Sequence, residues 1–275
     1  MTQENFEKNK TEKASAAAPK RPIWSGNVTI GLVNLPVKLY SMIYDKGVSF
    51  HFLHKTDGQP LKYVKMCTKD DKIVPWDEVV RGFEVSKNEF ITLDKKELDA
   101  VKPESDRRIR ISKFVDYFSV DPIYFDRTYA LMPDKSKEAY SLLLTALERK
   151  GKAGAGRITL RTKEYPALLH TYRGALVLTT LRYAYDVVDP QTFEDLQKLK
   201  EPEKAELDMA IKIVTDLSGE FDITEFQDSY LKRVEELIAQ KIKGEKIHVE
   251  KAPEVEAKGL MVALRETLKQ LEKQK

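Results

Sequence analysis

Three cations punctuate the run RITLRTKEY, Arg157 to Tyr165. Read as one strand, its side chains alternate between faces. That places Arg157, Thr159, Arg161 and Lys163 on one side and Ile158, Leu160 and Thr162 on the other, with no carboxylate before Glu164. A second run, RRIRISKFV, repeats the arrangement: Ile109 and Ile111 share one face, Arg108 and Arg110 the opposite one. Rows of unneutralised guanidinium and ammonium groups suit a polyanion. The wider charge distribution agrees. Arg149 to Arg173 holds seven Lys/Arg and one acidic residue, whereas Asp186 to Glu236 holds six Lys/Arg and fifteen Asp/Glu, within a net charge of only +3. Ordinary solvated faces that happen to segregate would give the same counts, so charge speaks to partners and not to fold.

Other chemistries find little support. The stretch GKAGAGR, Gly151 to Arg157, lacks the GK[ST] ending of a P-loop. It follows a helix and precedes a strand, the reverse of the order that cradles phosphate at a helix N-terminus, and reads as a connecting loop. On a strand, His51 and His54 point to opposite sides, and Cys67 has no CxxC partner, so no metal site is expected. Ser25 and Ser41 lack a GxSxG elbow. The expectation is a binding protein without cofactor or catalytic residues.

The 275 residues, 41% hydrophobic and 33% charged, suffice for one large domain or two small ones. No apolar run reaches membrane-spanning length, and the single cysteine precludes an internal disulfide framework. A soluble intracellular protein with no membrane association is expected. Residues 1–20, polar and Ala/Ser-rich, read as a disordered arm.

The elements that must position the cations follow from local pattern. Ile23 to Tyr40, broken by Gly26, Gly31 and Pro36, is strand–turn–strand chemistry. VSFHFLH (Val48–His54) and PLKYVKM (Pro60–Met66) read as strands around the turn TDGQ. EFITL is a strand leading to Asp94, which with Glu97 makes a capping signature. YFDRTYALMP and GALVLTTLRYAY are further strands, and SKEAYSLLLTALERKG is an amphipathic helix closed by Gly151. After Asp189 the chain turns helical. Leu207, Ala210, Ile211, Val214 and Leu217 form one stripe, and the first, third and fourth of these read most simply as core. FDITEFQDSYLKRVEELIAQKIKG forms a second helix capped by Asp222 and Glu225 and ended by Gly244. A charged linker then leads to GLMVALRETLKQLEKQK, with Leu260, Leu264, Leu268 and Leu271 on one side. Many short strands followed by segregated helices favour a barrel or sandwich, mainly β with α, over a doubly wound fold.

IWSGNVTIGLVNLPVKLYS with FHFLH, then VDPIYFDRTYALMPD, then ELDMAIKIVTDLSGEFDITEFQDSYLKRVEELIAQKIKG, resemble the prokaryotic Ku family in the correct order, from about Arg21 to Gly244. The tail GLMVALRETL is similar to the terminal segment of many bacterial members. The resemblance implies a homodimeric ring on double-stranded DNA ends, with a Ku-type β-barrel as cradle and a bridge of strands, here about Leu53–Asp116, arching over the duplex. It implies a role in double-strand break repair by non-homologous end joining, at the nucleoid in the cytoplasm, with recruitment of an ATP-dependent ligase, ligase D. The implied organisation is a β-barrel core over 21–188, a helical arm over 189–243 that embraces the partner, and a linker with tail helix over 244–275. Many relatives carry C-x-x-C-G in the bridge; this chain reads Cys67-Thr68-Lys69-Asp70-Asp71, which departs from that pattern.

The resemblance assigns DNA contact to Arg157, Arg161 and Lys163 on the barrel and to Lys62, Lys65 and Arg81 on the bridge. Alternation alone adds Arg107, Arg108 and Arg110, and Arg173 on the neighbouring strand. Phe226, Tyr230, Val234 and Leu237 read equally as intrachain core or as subunit interface. Leu260, Met261, Leu264, Arg265 and Leu268 read as a ligase-binding surface, or as a helix packed back on its own chain. Two rival functions remain at this point: nucleic-acid binding without threading, and a lysine acting as a Schiff-base nucleophile at abasic ends.

Overall fold

Trp24–Ile30 (β1) and Val33–Ser41 (β2) form a hairpin whose tight turn is possible because Gly31 takes the left-handed region, φ 57°. The computed structural model describes residues 21–44, 47–101, 107–244 and 259–274; the arm expected over 1–20 and the charged linker over 245–258 lie outside the described residues. Beyond β2 come Arg81–Ser86 (β3), Glu89–Leu93 (β4) and a short helix Lys95–Ala100 (α1). The capping box of α1 is made as the sequence predicts: Asp94 accepts from the Glu97 backbone N–H at 2.7 Å, and Glu97 accepts from that of Asp94 at 2.8 Å. Arg108–Asp116 (β5), Phe125–Pro133 (β6), helix Lys137–Lys150 (α2), Lys152–Leu160 (β7), Lys163–Tyr172 (β8) and Ala175–Leu181 (β9) follow.

Seven strands close into a barrel in the order β1-β2-β6-β9-β8-β7-β5, sealed by parallel pairing of β1 with β5. Alternation sends Val28, Leu35, Val37, Leu39, Ile109, Ile111, Leu131, Ile158, Leu169, Leu176 and Leu178 inward, where each is essentially solvent-free. Leu147 of α2 joins this core. The Tyr140 hydroxyl of α2 donates to the Leu131 carbonyl and accepts from the Leu176 N–H, both at 2.8 Å, which ties the helix to the barrel. The outward side of β8–β9 is also covered. There Leu168, Val177, Thr179 and His170 are buried, with the Tyr117 ring 4.9 Å from that of His170.

Two departures from the sequence reading concern β7. Lys152 to Gly156, expected within a connecting loop, is the first five residues of a nine-residue strand. Its glycines are there for close approach and not for flexibility: a Cβ on Gly156 would lie 2.0 Å from the Arg110 carbonyl oxygen. The run Arg157–Tyr165 is not one strand but the end of β7, a two-residue turn at Arg161-Thr162 with Arg161 at φ 57°, and the start of β8.

The segment between β2 and β5 also departs. Val48–His54 and Pro60–Met66 are not strands; only the isolated bridges Leu53↔Pro60 and Met66↔Ile73 form there, and β3–β4 is a two-stranded sheet of its own. Few of its large apolar side chains find cover: Phe52, Tyr63, Trp76, Phe83 and Phe90 are all exposed.

The chain divides at Val188/Asp189 into two compact units. The second contains the short helix Glu194–Gln197 (α3), Lys204–Asp216 (α4), Ser229–Lys243 (α5) and Leu260–Gln274 (α6). The cap of α5 is Asp228, accepting from Leu231 N–H at 2.9 Å, and not Asp222, whose carboxylate closes a separate 3-10 turn. Gly244 ends α5 at φ 74°, as expected. Leu207, Ile211 and Val214 are not core: they are 44%, 54% and 67% exposed. The half-buried side of α4 is instead that of Met209, Ala210 and Ile213, and α6 packs on this helix.

Candidate nucleic-acid interface

The outward face of β5 and β7 carries the cations. On β5, Arg108 and Arg110 are exposed while Ile109 and Ile111 point into the core, as the alternation predicts. Arg110 lies directly opposite Arg157 of β7. Opposed like charges on paired strands concentrate positive potential on this face, which suits an anion laid across it. Arg157 has one local counter-charge, Glu164 at 3.2 Å, diagonal to it on β8. Both partners are solvent-exposed, and such a pair contributes roughly 0–1 kcal/mol.

The register adds a residue that strict alternation misses. A β-bulge lies between Ile111 and Lys113, so that Ile111 pairs with Gly156 and Lys113 with Ala155. Without it Lys113 would follow Ile109 and Ile111 into the core. With it, Lys113 emerges on the face of Arg108, Arg110 and Arg157. The Ser112 hydroxyl of the bulge donates to the Ala155 carbonyl at 3.1 Å. The sequence cue was the alternating small residues of β7, Gly154-Ala155-Gly156, which mark close backbone approach. Same-face neighbours on a strand are about 7 Å apart and adjacent strands about 4.8 Å, so the four cations form a compact plate.

The other assigned barrel residues distribute differently from the expectation. Lys163 pairs with Leu160 across the hairpin and shares their face with Ile158 and Tyr165; it is therefore on the opposite side of the sheet from Arg157. The two-residue turn resets the parity that a continuous strand would have kept. Lys163 extends over the Tyr165 ring, 5.1 Å from its centroid. Arg161 projects from the turn, at the rim where Arg107 precedes β5 and its carbonyl accepts from Asn27 N–H. Arg173 sits in the turn at the other end of β8, stacked 5.3 Å from Tyr172. Ten residues of strand, about 33 Å, separate the two turns, so Arg173 belongs to no patch with Arg161. Lys62, Lys65 and Arg81 are exposed on the segment between β2 and β5, and the Lys65 ammonium lies 3.8 Å over the Trp76 ring. Arg182 is taken up by structure, donating to the Ile123 and Phe125 carbonyls.

In the second unit, Phe226 and Tyr230 are 69% and 67% exposed, but Val234 is buried within its own chain at 8% and Leu237 is half-buried. On α6, Leu260 and Arg265 are exposed, and Met261, Leu264 and Leu268 are half-buried on the helix that packs against α4. Among the described residues no group of His, Cys, Asp and Glu is arranged to hold a metal ion, and no helix is long and apolar enough to cross a membrane.

The strands of a closed barrel thus display a face of cations whose chemistry suits phosphate groups, contacts that carry no sequence information. The chain belongs to the Ku family: the family model described as the Ku70/Ku80 beta-barrel domain matches residues 29–209. Among curated relatives, "Non-homologous end joining protein Ku" of Anaeromyxobacter sp. (strain K) is 38% identical over 244 residues, covering 88% of this chain and 81% of the relative. The proteins of the same name from Heliobacterium modesticaldum and Archaeoglobus fulgidus are each 35% identical, covering 90% of this chain and 90% and 98% of their own lengths. Among solved structures, the SPOC domain of human PHD-finger protein 3 matches at 10% identity with a TM-score of 0.28, covering 58% of this chain and 95% of that one, a likeness that carries no argument.

Proposed function

We propose that this protein binds double-stranded DNA ends, without sequence preference and without catalysis, in non-homologous end joining at the nucleoid. The observation that carries the reading is the plate of Arg108, Arg110, Lys113 and Arg157, two of whose guanidinium groups occupy opposed positions on paired strands. Phosphates laid across it release condensed counterions, an attraction blind to base sequence. The names of the relatives support the end-joining role.

The working form is a homodimeric ring. The segment over 42–101 exposes Phe52, Tyr63, Trp76, Phe83 and Phe90, a concentration of large apolar side chains of the kind that marks a protein contact. A second copy covers it, with Lys62, Lys65 and Arg81 turned to the duplex. The arm also contributes to dimerisation, through Leu207, Ile211, Val214, Phe226 and Tyr230. The tail helix recruits an ATP-dependent DNA ligase through Leu260, Met261, Leu264, Arg265 and Leu268.

The test compares one DNA sequence as a linear duplex and as a relaxed closed circle at near-physiological salt. Tight binding to the linear form, abolished when both ends carry bulky adducts, is the expected result. Equal binding to the circle removes threading and leaves an open basic surface.

A further inference from the structure

Helix α6 has one apolar seam, Met261, Leu264, Leu268 and Leu271, at spacings of three and four. These are half-buried, and α6 packs on α4, whose half-buried side carries Met209, Ala210 and Ile213. One ion pair fastens the contact: Lys212 Nζ lies 2.9 Å from Glu272 Oε1. The Glu272 carboxylate holds the Lys212 ammonium above its ordinary pKa, which is the direction a formed pair gives.

A seam of four residues is used once. A helix lying on α4 cannot at the same time lay that side into a groove on another protein. We propose that α4 is the resting dock of the tail helix, and that a protein partner which grips α6 by its seam must displace α4 to do so. The inference rests on the ligase-recruitment reading above and names the regulation of that same surface. Because binding needs the undocked form, the apparent affinity of the partner is lowered by the fraction of chains in which α6 is free. The dock is weak enough to release. None of the seam residues is fully buried, the ion pair is solvent-exposed on both sides, and a 15-residue helix is near the length at which isolated helices are marginal. Anything that undocks α6 therefore primes recruitment without altering the DNA-binding barrel.

The experiment uses the full chain in four forms: wild type, Lys212→Glu, the charge-swapped Lys212→Glu/Glu272→Lys, and Ile213→Asp. Hydrogen exchange over Leu260–Gln274 reports the dock, and titration with purified ATP-dependent ligase reports recruitment. Lys212→Glu is expected to speed exchange in α6 and tighten ligase binding by about two- to five-fold, the range open to one exposed ion pair. The charge swap returns both to wild-type values, and Ile213→Asp tightens ligase binding ten-fold or more. Ligase affinity equal in wild type and Ile213→Asp, or α6 exchange unchanged by that substitution, overturns the dock. If neither wild type nor Ile213→Asp binds the ligase, the recruitment reading has failed and the competition falls with it, while the exchange rates still show whether α6 was docked.

Discussion

At the scale of single residues, the barrel assigns unequal weights to cations that look alike in the sequence. Arg110 and Lys113 stand on the plate, so Arg110→Ala and Lys113→Ala are each expected to reduce the slope of log affinity against log salt by about 0.9 for a linear duplex. Arg173, at the far end of β8, is expected to leave the slope unchanged when replaced by Ala. A loss at Arg173 as large as at Arg110 would place the DNA on another face. His170 tells of stability instead. Its Nε2 lies 2.9 Å from the Thr179 hydroxyl, and burial pulls its pKa below the ordinary 6.5. The native state thus holds the neutral ring while the unfolded chain takes up a proton first, so stability falls as pH drops from about 6.5. The urea midpoint of His170→Gln should be flatter than that of wild type between pH 6.5 and 5.

At the scale of elements, legibility followed parity. Wherever a strand ran unbroken, as at Ile109 and Ile111, alternation named the buried side correctly. It failed at the Arg161 turn, which moved Lys163 to the other face, and at the Ser112 bulge, which brought Lys113 outward. Each changes the register by a local backbone choice that residue types record only faintly. The helical stripe of α4 failed for another reason: Leu207, Ile211 and Val214 have the spacing of core residues, but among the described residues nothing covers them. Replacing Val214 by Asp should therefore barely move the thermal midpoint while raising the dimer dissociation constant ten-fold or more, as read by sedimentation. Gly156→Ala has the opposite profile. Its new methyl would meet the Arg110 carbonyl, forcing β5 and β7 apart at a cost of about 3 kcal/mol, visible as a lower urea midpoint with dimerisation otherwise intact.

At the scale of the whole molecule, the proposed function gives the two units separable tasks. Deleting Gly259–Lys275 is expected to leave duplex binding unchanged and to lower stimulation of the ligase; undiminished stimulation would remove the tail from recruitment. The sequence changes from β-rich to acidic and helical at Asp189, where composition shifts over a few residues. The lack of regular strands over Val48–His54 and Pro60–Met66 was not readable, since both have strand composition but, among the described residues, no neighbours to pair with along their length.

The parallel seam of β1 with β5 has a kinetic consequence. Asn27 pairs with Arg108, so the whole excursion leaves the barrel at the end of β2 and returns at the start of β5, with only β1 between its two feet. The feet are about 19 Å apart, two strand spacings across and five residues along the strand direction. The excursion is thus a handle, fixed at both ends to one rim. The chain must bring together positions some eighty residues apart before this seam yields any pairing, whereas the β1–β2 hairpin and the β7–β8–β9 meander form between near neighbours. The barrel should therefore assemble from those local pieces and seal last along β1–β5. Shortening the handle to a Gly/Ser linker in place of residues 47–101 should speed refolding while leaving the core intact, and strain placed on the handle should be felt first at Arg107 and Asn27.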